Sequence, residues 1–97
     1  CSAADALSEK GARSIFACAT HGVFSASALE RIEKSSLTKV VVTNSIYLDK
    51  SRQQYSEKIE VLSIAGLMAD AIMRIHKDES VSPLFLDAES RQIIGLE

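Results

Sequence analysis

Apolar positions change period twice within the first 35 residues. Ala3, Ala4, Ala6 and Leu7 recur at helical spacing, and Lys10-Gly11 supplies a cation and a flexible residue where a helix should end. A helix is predicted over 2–10. Ile15 to Ala19, "IFACA", is an unbroken apolar run of strand length. It shows no polar alternation, so it predicts a strand buried on both faces, with Cys18 as a small buried hydrophobe. After Thr20-His21-Gly22, the run Ser27-Ala28-Leu29-Glu30 has the Ser-x-x-Glu spacing of a capping box, and Ser25 is a competing cap. Ala28, Leu29 and Ile32 give the predicted helix 27–34 its inner face.

The pattern then returns to strand. Val40-Val41-Val42 is short and β-branched, which favours a second strand. Residues 47–58 are polar without a clear period and predict an exposed connector. Ile59, Val61, Leu62 and Ile64 predict a third strand. Ile64, Leu67, Met68, Ala71, Ile72 and Ile75 recur at i, i+3, i+4, i+7, i+8 and i+11, the stripe of an amphipathic helix. Met68 and Met73 are expected as core and boundary fillers. "HKDESVSPLF" closes that helix in a polar turn, and 86–97 reads as a tail with mild helical character. Helices separating apolar strands predict an α/β domain with a mainly parallel sheet and flanking helices. Three strands are few for such a sheet, so further strands are expected from a longer chain or a partner.

Composition narrows this picture. Ninety-seven residues allow one small domain with a thin core, since a chain of this size buries only roughly 60% of its unfolded surface. Eleven basic and thirteen acidic residues are interspersed, for a net charge of −2. That argues against a nucleic-acid binder, which would carry a basic excess or stripe. No apolar run approaches the roughly 20 residues of a membrane span. The opening residues lack the basic-then-apolar pattern of a secretory leader, and a cytoplasmic location is expected. Cys1 and Cys18 form no metal-ligand spacing and no redox pair. The chain opens on Cys-Ser-Ala-Ala, already helical and without methionine, so a fragment is the expectation.

In open α/β sheets, ligands bind beyond the carboxyl ends of the strands. Those ends are predicted at Thr20-His21-Gly22, at Thr43-Asn44-Ser45 and near Ser63. On a parallel sheet these groups share one edge. Small hydroxyls, an amide and a glycine there suit an anionic ligand, although the same residue types are ordinary loop formers. His21 has no carboxylate or nucleophile near it in sequence and is expected to bond backbone in a turn. His76 falls in the last turn of the final helix, where an imidazolium meets the negative end of the dipole. Ser80-Val81-Ser82, just past that helix, offers hydroxyls and amides to a phosphate, or else forms a surface turn closed by Pro83. There is no Walker loop, no dinucleotide fingerprint, no zinc-protease motif and no acidic pair for magnesium. The residues by themselves contain no complete catalytic constellation.

"CSAADAL", "ATHGVFS", "VVVTNS" and "ESVSPLF" occur in this order. With their spacing, residues 1–85 resemble the C-terminal part of the ribose-phosphate pyrophosphokinase (PRPP synthetase) family. The resemblance implies a portion of a phosphoribosyltransferase-like domain over 1–85, followed by a tail over 86–97. That family transfers the diphosphate of ATP to ribose 5-phosphate with magnesium, for nucleotide biosynthesis, as homo-oligomers. The resemblance places Cys1 directly after the family's ribose-phosphate loop. The ATP-binding segment and catalytic lysine and arginine lie further upstream, so no catalytic residue is carried over. Ser80, Val81 and Ser82, with Phe85 beside them, match the family's inter-subunit site where phosphate activates and ADP inhibits. On this resemblance the Thr20-His21-Gly22 corner is expected as the strand-to-helix turn at the ligand edge of a phosphoribosyltransferase-like sheet, with no catalytic role for His21, and Thr43 and Asn44 are expected in the neighbouring ligand-edge loop. Ser25-Ala26-Ser27 stands where Ser-Gly-Pro is usual, Tyr47 where proline is common, and Pro83 where tyrosine is common. On this reading the 97-residue chain alone has no pyrophosphokinase activity. The alternatives are a catalytically silent associated subunit of that enzyme, a free-standing small α/β binding domain, and an ordinary phosphoribosyltransferase.

Overall fold

A computed structural model describes residues 1–25, 27–53 and 56–86. The predicted tail therefore lies outside the described residues, except for Leu86. The chain divides into two compact units, Cys1–Ser63 and Ile64–Glu97.

The first unit is built on three parallel strands, β1 (Phe16–Ala19), β2 (Lys39–Thr43) and β3 (Ile59–Leu62), in the order β1-β2-β3. Helix α1 (Ser2–Glu9) precedes β1, α2 (Ala28–Lys34) joins β1 to β2, and the four-residue α3 (Lys50–Gln53) lies between β2 and β3. The register is continuous across the sheet: Ala17 faces Val40, which faces Ile59, and Ala19 faces Val42, which faces Val61. The predicted α/β fold with a parallel sheet and flanking helices is the observed one.

The core lies on one face of this sheet. Ala4, Ile15, Leu29, Ile32, Leu37, Val40, Val42 and Ile59 form a single buried cluster, and Ala17, Phe24, Leu48 and Val61 pack against it. Burying Leu29 and Ile32 contributes roughly 2 kcal/mol each. Side chains alternate across a strand, so Phe16, Cys18, Lys39, Val41, Glu60 and Leu62 fall on the opposite face. There Lys39 and Glu60 form an ion pair of 2.9 Å, and Phe16, Cys18 and Leu62 are exposed. This corrects the reading of "IFACA" as doubly buried and of Cys18 as a core thiol. Ala17 and Ala19 are too small to mark an inner face by contrast, so a one-sided edge strand looks uniformly apolar in sequence.

Two polar devices tie α2 to the sheet. Lys58 Nζ donates to the carbonyls of Ile32 (3.4 Å), Glu33 (2.9 Å) and Ser35 (2.8 Å), satisfying the last turn of α2 from a residue beside β3. Ser56, 2% exposed, donates its hydroxyl to Glu33 Oε2 at 2.7 Å. Among the described residues no buried side-chain nitrogen or oxygen lacks a partner. The predicted capping box does not form. Ser27 has helical rather than extended backbone and makes no side-chain cap bond, and Glu30 pairs with Lys34 one turn on. The connector expected without structure contains α3, whose entry is fixed by Asp49 Oδ1 accepting from Ser51 N–H at 3.1 Å.

The second unit holds α4 (Ala65–His76) and a 3-10 turn over Ser82–Phe85. The helix matches its predicted span, but its apolar stripe is not core. Leu67, Met68, Ile72, Met73 and Ile75 are all exposed, and no residue of α4 is buried. Periodicity dictates a stripe; it does not say what covers it. Among the described residues, Asp78, with φ 54°, is the non-glycine residue in left-handed backbone, and it turns the chain out of α4.

Candidate functional site

Parallel register brings the carboxyl ends of all three strands to one edge, and their loops are joined there by side chains. Thr43 Oγ1 donates to the Thr20 carbonyl at 2.6 Å. Ser45 Oγ lies 3.2 Å from the same carbonyl, and Ser45 N–H donates to Thr43 Oγ1 at 3.2 Å. His21 Nδ1 meets Ser45 Oγ at 2.7 Å. Asn44 Nδ2 donates to Ser63 Oγ at 3.4 Å, linking the β2 end to the β3 end, and Asn44 N–H donates to the Leu62 carbonyl at 3.0 Å. The expected shared edge of Thr20, His21, Gly22, Thr43 and Asn44 is therefore present.

His21 departs from expectation. It bonds a serine hydroxyl 24 residues away, not backbone in its own turn. Ser45 is the member of this edge whose part could not be read from residue type, because serine is ordinary in a loop. Its signal is positional: it stands two residues past a strand that pairs in parallel with the one His21 follows. At Gly22 the lack of a side chain is a matter of space. A Cβ there would sit 2.9 Å from Phe24 Cε2 and 3.2 Å from Val42 Cγ2. Glycine is required by close approach of the ring and the core valine, since its φ is not in the left-handed region.

The ledge carries no carboxylate, lysine or arginine among these residues. Thr20, Thr43, Asn44, Ser45 and Ser63 carry hydroxyl, amide and carbonyl groups, and the helix that follows the His21 loop is only seven residues long. The carboxylates whose ionisation is shifted lie elsewhere: Lys34 lowers the pKa of the Glu30 carboxyl one helical turn away, and Asp5 is the other. Ser36 N–H donates to Asp5 Oδ1 at 2.8 Å and holds that carboxyl below its usual value. Among the described residues no three His, Cys, Asp or Glu side chains converge as a metal site. No described helix is long and apolar enough to cross a membrane.

In the second unit, Ser80, Val81, Ser82 and Phe85 form one compact turn. Ser82 N–H donates to Ser80 Oγ at 3.2 Å, so the first serine caps the turn that the second begins. Arg74 donates Nε to Asp70 Oδ1 and Nη1 to the Ser80 carbonyl, both at 3.2 Å, and so fastens the turn to α4. Phe85 is 81% exposed. Arg74 was not singled out from the sequence. Its i, i+4 spacing from Asp70 was visible, whereas its bond to Ser80 needed the chain reversal at Asp78.

The comparisons with known proteins point one way. The chain is 53% identical to a ribose-phosphate pyrophosphokinase of Staphylococcus saprophyticus over 83 residues, 86% of this chain and 25% of that protein. It is 52% identical to that of Staphylococcus aureus strain Mu50 over the same length. It superposes on the phosphoribosylpyrophosphate synthetase of Mycobacterium smegmatis with a TM-score of 0.74 and 32% identity, covering 79% of this chain and 25% of that one. The chain thus spans about a quarter of the length of the relatives it matches. The family described as phosphoribosyl synthetase-associated domain matches residues 1–86, and the chain belongs to it.

Proposed function

We propose that this chain is the C-terminal part of the C-terminal phosphoribosyltransferase-like domain of a ribose-phosphate diphosphokinase. The carrying observation is 53% identity through 83 residues, over a sheet whose carboxyl edge gathers three loops into one hydrogen-bonded ledge. In the whole protein, the reaction is transfer of diphosphate from ATP to ribose 5-phosphate in the cytoplasm. This segment contributes the sheet edge that frames the substrate loops, contacts within a homo-oligomer, and part of a regulatory site. Domain 1–85 is followed by a tail at 86–97.

The regulatory part is the Ser80-Val81-Ser82 turn with Phe85 beside it. Its hydroxyls and amides suit phosphate, and the exposed ring suits a nucleotide base such as that of ADP. Magnesium and ATP are the cofactor and donor of the reaction. No residue of this chain is assigned to magnesium. Phosphoryl-type transfer rests almost entirely on positioning and charge stabilisation of the donor. A chain with no group placed for magnesium-ATP is expected to be inactive alone.

The test is a paired assay of the purified 97-residue chain and the full-length source protein with ATP, magnesium and ribose 5-phosphate. The expected result is no turnover by the chain and turnover by the whole protein. Turnover by the chain alone overturns the assignment of its role. A silent full-length protein that changes the rate of an active synthetase would instead establish the associated-subunit reading, which the family's description favours.

A further inference from the structure

We infer that Arg74 is the positioning residue of the Ser80-Val81-Ser82 turn: it sets how tightly that turn holds an anion such as phosphate, without touching the anion itself. The inference rests on the reading of this turn as a phosphate site and adds the residue that controls it.

Arg74 holds the turn twice. At the end of α4, Glu79 N–H donates to the Arg74 carbonyl at 2.8 Å and Asp78 N–H to the Ile75 carbonyl at 3.2 Å, around the left-handed Asp78. This pair of bonds is the Schellman pattern, and it reverses the chain as the helix ends. The reversal brings the Ser80 carbonyl within reach of the Arg74 side chain. Nη1 donates to that carbonyl, while Nε donates to Asp70 Oδ1. The backbone oxygen of Arg74 thus fixes the exit from the helix, and its guanidinium fixes the segment that follows. Beyond Ser80 the bonds are internal to the turn: Ser82 N–H to Ser80 Oγ at 3.2 Å and Leu84 N–H to the Val81 carbonyl at 3.0 Å.

Two physical facts give this tether its weight. A 3-10 turn of four residues has few bonds of its own, and an aspartate in left-handed backbone is disfavoured relative to glycine. The planar guanidinium serves a carboxylate and a carbonyl at once in fixed geometry, which a lysine ammonium does not. Asp70, one helical turn earlier, aims it. The Arg74 side chain is 21% exposed and is engaged by protein through both Nε and Nη1, so it supports the turn rather than reaching for a ligand. Hydroxyls and amides of Ser80-Val81-Ser82 meet an anion together only while the turn is in place. The apparent dissociation constant is then the intrinsic one divided by the fraction of molecules with the turn formed.

Calorimetric titration of the full-length source protein with inorganic phosphate tests the inference. Arg74→Ala should raise the dissociation constant roughly three- to ten-fold, the loss expected from one hydrogen bond that holds the turn. Arg74→Lys should give a smaller rise. Asp78→Gly relieves the left-handed backbone without altering Arg74 or the serines, so Arg74→Ala/Asp78→Gly should recover part of the lost affinity. Far-ultraviolet circular dichroism checks that each variant is folded, and Arg74→Lys decides if the alanine variant is not. A folded Arg74→Ala protein with wild-type affinity overturns the inference. A loss that Asp78→Gly leaves untouched assigns Arg74 to the anion directly and overturns its positioning role. A wild-type protein that binds no phosphate overturns both the site and its control. Turnover of ATP and ribose 5-phosphate is read separately: its absence counts against the transferase reading, while the calorimetry still decides the part played by Arg74.

Discussion

Strands β1 and β2 lie side by side in one parallel sheet, and both read as uninterrupted apolar runs, yet their environments differ. In β2, Val40 and Val42 are buried and the alternate residues half-buried, because a strand flanks it on each side and α2 packs beneath. In β1, Phe16 is 63% exposed, Cys18 is exposed, and only Ala17 turns half-buried toward the core. Position in the sheet, not composition, separates them. A central strand is packed along both edges and beneath, whereas an edge strand shares only one of its sides with a neighbour.

The largest effect expected to test this contrast is in the core of β2. Val42, 3% exposed, should lose about 2 kcal/mol of stability on replacement by alanine. Phe16→Ala in β1 removes more atoms and should cost less than about 0.5 kcal/mol. Urea denaturation of both variants measures the difference, and equal losses would erase the distinction between the strands.

Gly22→Ala tests the junction where β1 hands over to its loop. The added methyl meets Phe24 and Val42 at 2.9 and 3.2 Å, so a cost of about 1–2 kcal/mol is expected. Combining it with Phe24→Leu should recover part of that loss, since the ring is the nearer obstacle. Full additivity of the two costs in the same denaturation experiment would show that the contact is not the cause.

The smallest effect concerns how α1 is tied to the lead-in of β2. The Ser36 amide lowers the Asp5 pKa below its usual 3.8. A carboxyl whose folded pKa is depressed contributes stability above its unfolded value and loses it as pH falls through the folded one. Asp5→Asn should therefore lower the urea midpoint near neutrality, and the gap from wild type should close below pH 3.8. A gap that persists unchanged into acid would assign the loss to packing.

Much of the fold was legible in residues. Val40-Val41-Val42 announces a strand because β-branched side chains fit a pleated surface, and the six-residue stripe from Ile64 to Ile75 announces α4 because its period is helical. The shared edge of Thr20, His21, Thr43 and Asn44 followed from parallel topology alone. Local signals failed where two partners competed for one group. Glu30 had a capping box available with Ser27 and took Lys34 instead, since the Ser27 backbone is helical and its hydroxyl makes no cap bond.

The sequence by itself determined the element order, the parallel sheet and the identity of the loops at its carboxyl edge, because hydrophobic period and turn chemistry are local properties. Tertiary structure alone decided which apolar residues are covered, what His21 touches and why residue 22 is glycine. Each of those depends on atoms distant in the chain: Val42 beneath Gly22, Ser45 beside His21, and the strand neighbours that β2 has on both sides and β1 on one. Burial and hydrogen-bond partnership are relations between segments, and only the folded register brings those segments within reach.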